Sequence, residues 1–309
     1  MLVRVSYGTA VSLGLKRGKL MARPTTAYIM TYWPGKCSND CAFCAQARTS
    51  KANLDRLSRV TWPVFELDEV VKALPRGKFG RLCLQTIDYP GMLDDVFVLL
   101  QAFKPLKLPV SVSITPVDER VLKEFRELGV DYIGIGLDVS SERLFKAFKP
   151  DFEWEAMWDF AEMVVGVMGR GRGVVHLIVG LGETDRELVE TFEKAYSIGV
   201  DVSLFAFTPL RGTRLENLKP PSLERYRKIQ LARWLVEVGL ADRIVFEGEG
   251  IRGFNLKGVD VPPSVFATHG CPACNRPYYN EKPGDEPYNF PLPPGKDYLM
   301  KCLASLDLP

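Results

Sequence analysis

Residues 110–137 read VSVSITPVDERVLKEFRELGVDYIGIGL. The stretch opens with a short run rich in β-branched residues, 110–114, that suits a strand. Residues 117–128 then place apolar side chains at helical spacing between charged ones. Gly129 stops the helix, and 132–137 is a second short apolar run. Two strands joined through a helix, rather than a tight turn, lie parallel and cross over with right-handed sense.

The same unit extends in both directions. Strands are expected at 27–32, 81–86, 174–179, 202–207 and 243–246. Helices are expected at 66–74, 93–103, 141–148, 153–168, 184–198 and 223–238. Seven strand–helix turns in this span predict an α/β fold, a TIM-type (βα) barrel that is full or nearly closed; an open doubly wound sheet is the alternative. Beyond residue 248 the chain becomes rich in Gly, Pro and aromatic residues (CPACNRPYYNEKPGDEPYNFPLPPG, 271–295). That composition predicts an irregular segment ordered by docking or by a metal. The expected division is an N-terminal extension at 1–25, the barrel at 26–248 and a cysteine-containing C-terminal segment at 249–309.

Of the 309 residues 46% are hydrophobic and 25% charged, with a formal net charge of +2. This balance suits a globular chain with a large core. It gives no reason to expect nucleic acid or a membrane as partner. No apolar run is long enough to span a bilayer, and the first twenty residues lack the pattern of a signal peptide, so the expected location is the cytoplasm.

Seven cysteines are present. In a reducing compartment, clustered cysteines serve as metal ligands or catalytic groups more often than as disulfides. Cys37, Cys41 and Cys44 lie on one loop directly after the first strand, on the barrel face where chemistry is done. Three thiolates can hold three irons of a cubane cluster and leave the fourth open to a small molecule. Zinc, or chance clustering, is the plainer reading. Cys271 and Cys274 form a Cys-x-x-Cys, with Cys302 further on. These three suit a second cluster whose fourth ligand could be Cys83, His269, Arg276 or Ser264; a zinc ribbon is the alternative.

The spacing Cys37-x-x-x-Cys41-x-x-Cys44 after a first barrel strand resembles the radical S-adenosylmethionine (SAM) superfamily, most closely its biotin synthase-like branch. The resemblance implies a 4Fe-4S cluster that binds SAM and reductively cleaves it to a 5′-deoxyadenosyl radical. It further implies that Phe43 packs on the adenine and that Asp138, in Leu137-Asp138-Val139-Ser140, binds the ribose. Ile178, Gly180 and Leu181 would lie beside the adenine, Pro209 and Leu210 would offer it backbone groups, and Gln85 and Thr86 would meet the methionine amino group. Gln85 and Thr86 depart from the family's Gly-Gly-Glu. Each position also has a plain structural reading: Asp138 as a helix cap, Gly180-Leu181-Gly182 as a turn, Phe43 as core.

Biotin synthase builds its second cluster on cysteines of strands two, three and five. Here only Cys83 falls at such a place, the other equivalents lying near Val112 and Val174. The tail Cys271-Pro-Ala-Cys274-Asn-Arg-Pro-Tyr-Tyr-Asn-Glu is similar to that of the two-protein lipoyl synthases. This implies a sulfurtransferase acting on a C–H bond of a protein-bound octanoyl chain, with a second 4Fe-4S cluster as sulfur donor. The implied partners are an octanoylated lipoyl carrier domain, a second lipoyl synthase subunit, and a flavodoxin or ferredoxin as reductant. The alternatives are sulfur insertion or rearrangement on a free small molecule, or a non-catalytic electron-transfer protein.

Overall fold

In the computed structural model, which describes residues 1–308, one eight-stranded sheet organises the chain. In chain order its elements are β1 (Leu2–Val5), α1 (Tyr7–Ser12), β2 (Thr26–Thr31), the short hairpin β3 (Arg56–Leu57) and β4 (Val60–Thr61), β5 (Val64–Glu66), α2 (Leu67–Ala73), β6 (Arg81–Gln85), α3 (Met92–Phe103), β7 (Val110–Ile114), α4 (Glu119–Glu127) and β8 (Val130–Asp138). There follow α5 (Glu142–Phe148), α6 (Trp154–Met168), β9 (Gly173–Val179), α7 (Asp185–Ile198), β10 (Asp201–Ala206), α8 (Leu223–Glu237), β11 (Ile244–Glu247), β12 (Gly250–Phe254) and α9 (Lys296–Leu306). The strand order is β10-β9-β8-β7-β6-β2-β1-β5. From β2 to β10 every neighbouring pair is parallel; β1 and β5 add an antiparallel edge.

The expected strand–helix alternation is present, with six parallel strands rather than seven. The seventh expected strand, 243–246, forms an antiparallel hairpin with β12 outside the sheet. Among the described residues no strand pairing joins β10 to the far edge, so pairing does not close the barrel. The first 25 residues, expected as an extension, supply β1 to the same sheet, where Val3 pairs with Thr31.

The C-terminal segment covers the open side with side chains. Asn280 accepts from Ala206 N (3.3 Å) and donates to its O (2.6 Å), and Asn289 donates to Leu204 O, so the free edge of β10 is capped by amides. On the other flank Thr25 and Thr26 donate to Ala273 O, and Asn275 accepts from Thr25 N. Covering an edge in this way removes its tendency to pair with another chain. The tail also forms α9, buried at Leu299 and Leu306. Among the described residues no helix is long and apolar enough to cross a membrane.

Side chains alternate along each parallel strand. The outer set packs under the helices: Leu82 and Leu84, Val110 and Val112, Val175 and Leu177 are buried there. The inner set lines a cavity of about 650 Å³.

Candidate active site

The loop after β2 is held by its backbone. Cys37 N donates to Gln46 O (2.8 Å), Ser38 N to Asp88 O (2.7 Å) and Ala42 N to Phe148 O (2.8 Å). Trp33 stacks on Tyr89 at its root, and buried Gln46 donates to Leu54 O and Arg56 O. Asp40 accepts from Thr49 N and Oγ1, which hold its carboxyl below the usual range. These bonds leave Cys37, Cys41, Phe43 and Cys44 lining the cavity.

All seven cysteines are free thiols. Burial pushes Cys37 and Cys41 up and Cys44 up to about 11. Burial outweighs the nearby Lys149 at Cys41, so these neighbouring thiols stay protonated unless a metal displaces the protons. The Cys37 sulfur already accepts from Asn39 N and Asp88 N, donors of the kind that stabilise a metal-bound thiolate. The loop therefore fits an iron–sulfur cluster.

Of the residues expected to meet SAM, Phe43, Gln85, Thr86, Asp138 and Ile178 line the same cavity as the three thiols. Asp138 has a left-handed backbone (φ 65°) and is paired by Lys149 at 2.8 Å. Lys149 is buried and also donates to Gly136 O and Leu137 O. The sequence reading missed Lys149, because α5 delivers it to the strand end only in three dimensions.

Gly180, Leu181, Pro209 and Leu210 stand outside the cavity lining. The amides of Gly180 and Leu181 are already used: Glu183 accepts from both, at 2.8 and 2.7 Å, and is itself held by Arg225. These two residues form a strand-to-helix turn closed by its own carboxylate. After β10 it is Ala206, Phe207 and Thr208 that face the cavity, and Leu210 lies instead with Lys51, Ala52, Asn53 and Arg56.

The second thiol set also differs from expectation. Cys271 and Cys274 line the cavity together with Cys83, whereas Cys302 does not. Cys302 sits on α9 and meets the Tyr298 hydroxyl; the register that buries Leu299 and Leu306 directs it there. Cys83 instead faces inward from β6, and the Cys-x-x-Cys turn is drawn under the barrel by Thr25, Thr26 and Arg81, whose Nε donates to Pro272 O. Burial raises Cys83 strongly and Cys271 to about 12, the mutual charge of these thiols adding to it. Gln85 donates to the Cys83 sulfur at 2.9 Å, and Tyr28 Oη lies 3.5 Å from that of Cys274.

Of the four candidates for a fourth ligand, Cys83 and Arg276 reach this place. The Arg276 guanidinium lies 3.8 Å over the Phe205 ring and donates to Ser203 Oγ. Its Nε and Nη1 are buried with no hydrogen-bond partner, which is costly unless something in the cavity answers them. His269 is engaged by Asp201 at 2.7 Å, and Ser264 lies in a turn away from the lining. His176 projects into the cavity from β9 with its ring edge-on to Phe205, and no protein hydrogen bond to its ring is present. Its visible signal was a lone imidazole in an apolar strand, VVHLIV.

One cavity thus carries three thiols at the C-terminal ends of the strands and three more toward their N-terminal ends. Its volume falls within the roughly 300–1,000 Å³ of small-molecule sites.

Residues 32–195 match the model of the Radical SAM superfamily. The biotin synthase of Aquifex aeolicus is 29% identical over 194 residues, covering 59% of this chain and 55% of that protein. That of Clostridium acetobutylicum is 27% identical over 238 residues, covering 73% of this chain and 68% of that protein. The match to the Persephonella marina biotin synthase, at 30% identity, covers 63% of this chain and 58% of that protein. The alignments thus span from just over half to about two thirds of these relatives. Among solved structures, methylornithine synthase aligns with a TM-score of 0.55 at 17% identity, over 74% of this chain and 68% of that one. The FeFe-hydrogenase maturase HydG from Carboxydothermus hydrogenoformans aligns with a TM-score of 0.53 at 15% identity, over 75% and 56%. These two likenesses are of fold.

Proposed function

The chain belongs to the radical SAM superfamily, and on that premise we propose that it inserts sulfur at a C–H bond of a protein-bound octanoyl chain, as one subunit of a two-protein lipoyl synthase. The observation that carries the reading is the pair of thiol sets on one cavity, Cys37/Cys41/Cys44 and Cys83/Cys271/Cys274. The tail motif beginning at Cys271 supports the lipoyl assignment, and the similarity to biotin synthases supports sulfur insertion as the class of chemistry.

Cys37, Cys41 and Cys44 would hold the 4Fe-4S cluster that, with SAM, supplies the hydrogen-abstracting radical. Cys83, Cys271 and Cys274, with Arg276 beside them, would hold the second cluster, the source of sulfur. The chain's own residues orient and shelter. Lys149 fixes the Asp138 carboxylate for a ribose, and Phe43 and Ile178 supply apolar surface for an adenine. Phe205, Tyr279 and Met157 wall the cavity against water; an excluded solvent protects a reactive radical from side reactions. A flavodoxin or ferredoxin as electron source, an octanoylated carrier domain and the second subunit complete the proposal.

The test is anaerobic iron and sulfide content with Mössbauer spectra. We expect about eight irons in the wild type and about four in a Cys83/Cys271/Cys274→Ala variant, two cubanes against one. Cys302→Ala keeps about eight. In parallel, an octanoylated carrier domain with SAM, reductant and the second synthase subunit gains sulfur by mass spectrometry. Four irons in the wild type, or no sulfur transferred from a fully loaded protein, would sink the reading.

A further inference from the structure

Most residues lining the cavity are buried or half-buried. Among the described residues, those that line it and are also exposed are Tyr7, Lys19, Met21, Thr61 and Pro283. They come from the segment before β2, from the β3–β4 hairpin and from the tail. The cavity therefore reaches solvent through a side mouth bordered by these segments.

One rim of that mouth is basic. Residues 1–39 contain no Asp or Glu. Lys16, Arg17, Lys19 and Arg23 are all exposed, and none lies within ion-pairing distance of a carboxylate among the described residues. The strip also carries Leu20 and Met21, the latter 63% exposed. It is pinned at both ends: Tyr7 Oη donates to Arg17 O (3.1 Å) and Asn275 Nδ2 to Arg23 O (2.9 Å). Opposite, Arg59 ties the hairpin to the tail through Tyr278 O.

We propose that Lys16, Arg17, Lys19 and Arg23 are the docking strip for an acidic carrier protein, which seats beside the side mouth and passes its tethered acyl chain into the cavity. The inference rests on the reading of the substrate as a carrier-bound chain. Inside the cavity Lys149 and Arg81 are already neutralised by Asp138 and Asp131, and Arg276 is enclosed beside the second thiol set. Four unpaired cations on the outer rim act instead on a macromolecule, steering and orienting an acidic face. Exposed Met21 and half-buried Leu20 add adaptable apolar contact at the point of entry. An interaction of surface charges of this kind weakens with salt, since screening acts over about 10 Å at 0.1 M.

The experiment measures the Kd of the loaded holoenzyme for an octanoylated lipoyl carrier domain at low and high salt, in the wild type and in Lys16→Glu/Arg17→Glu/Arg23→Glu. Iron content at the wild-type level checks that the variant folds. The expected result is a weakening of about tenfold or more at low salt, shrinking at high salt and partly restored by a carrier with its acidic face reversed to lysine. Equal affinity of the two proteins overturns the docking strip and leaves the substrate reading standing. No binding of the carrier by the wild type overturns both. Binding of an RNA oligonucleotide through the strip, with carrier affinity unchanged by the charge reversal, overturns it in favour of a polyanion.

Discussion

At the scale of single residues the cavity is a place of suppressed charge. His176 shows the effect most plainly. Burial first, and then the Arg276 guanidinium, hold its imidazole down at about 4 from the ordinary 6.5. Between those values the unfolded chain binds a proton that the folded chain refuses, so stability falls as pH drops from 6.5 toward 4 and the loss is complete below 4. The amount is on the order of 3 kcal/mol. Urea unfolding of the metal-free protein at pH 7 and pH 4.5 should show it, and His176→Gln should lose less stability over that interval than the wild type. Equal losses in the two proteins would mean that the ring titrates normally. Cys37, Cys41, Cys44, Cys83 and Cys271 obey the same physics: each is raised by desolvation, and each requires a metal to become a ligand.

Among the elements, the β9–α7 connection shows how a recognisable motif uses its own backbone amides. Gly180-Leu181-Gly182-Glu183-Thr184 has glycines at φ 106° and 101°, so the chain turns sharply from strand to helix. Glu183 then accepts the two amides that the turn would otherwise aim outward, and Thr184 begins α7 with a capping box to Glu187. The two side chains differ in what they hold. Glu183→Ala strands two buried amides and an Arg225 contact and should cost about 3–5 kcal/mol, as for a broken buried pair. Thr184→Ala removes one cap and should cost about 1 kcal/mol. Thermal or urea unfolding ranks the two, and similar costs would remove the special role given to Glu183. The strand–helix alternation itself was legible, because amphipathic periodicity is local. The fate of 243–246 was not, since nothing in an arginine and three apolar residues says whether they join a sheet or pair in a hairpin beside it.

For the molecule as a whole, the decisive feature is the tail across an incomplete barrel. Arg227, on α8, is almost wholly buried and donates to Gln230 Oε1, Pro287 O and the Tyr298 hydroxyl. It joins the barrel's last helix to both the loop and the helix of the tail. Arg227→Ala leaves those acceptors unpaired and should loosen the tail without unfolding the sheet. Hydrogen exchange across 283–306 should rise about tenfold or more while β6 to β9 keep their protection, the pattern of local rather than global opening. Uniform change across the chain would instead make Arg227 part of the global core.

By itself the sequence determined the repeating strand–helix unit, the three-cysteine loop and its place after the first strand, and the presence of further cysteines in a tail too irregular for a regular core. Each is a matter of spacing along a few dozen residues. Only the tertiary structure decided which thiols share a space. Cys83 and Cys271 are far apart in the chain and meet because the tail crosses from β10 to β2; Cys302 is nearer in sequence and is carried away by the register of its helix. Lys149 reaches Asp138, and Arg276 enters the cavity, for the same reason. Contacts between distant segments are set by how whole elements pack, and a linear pattern does not contain that information.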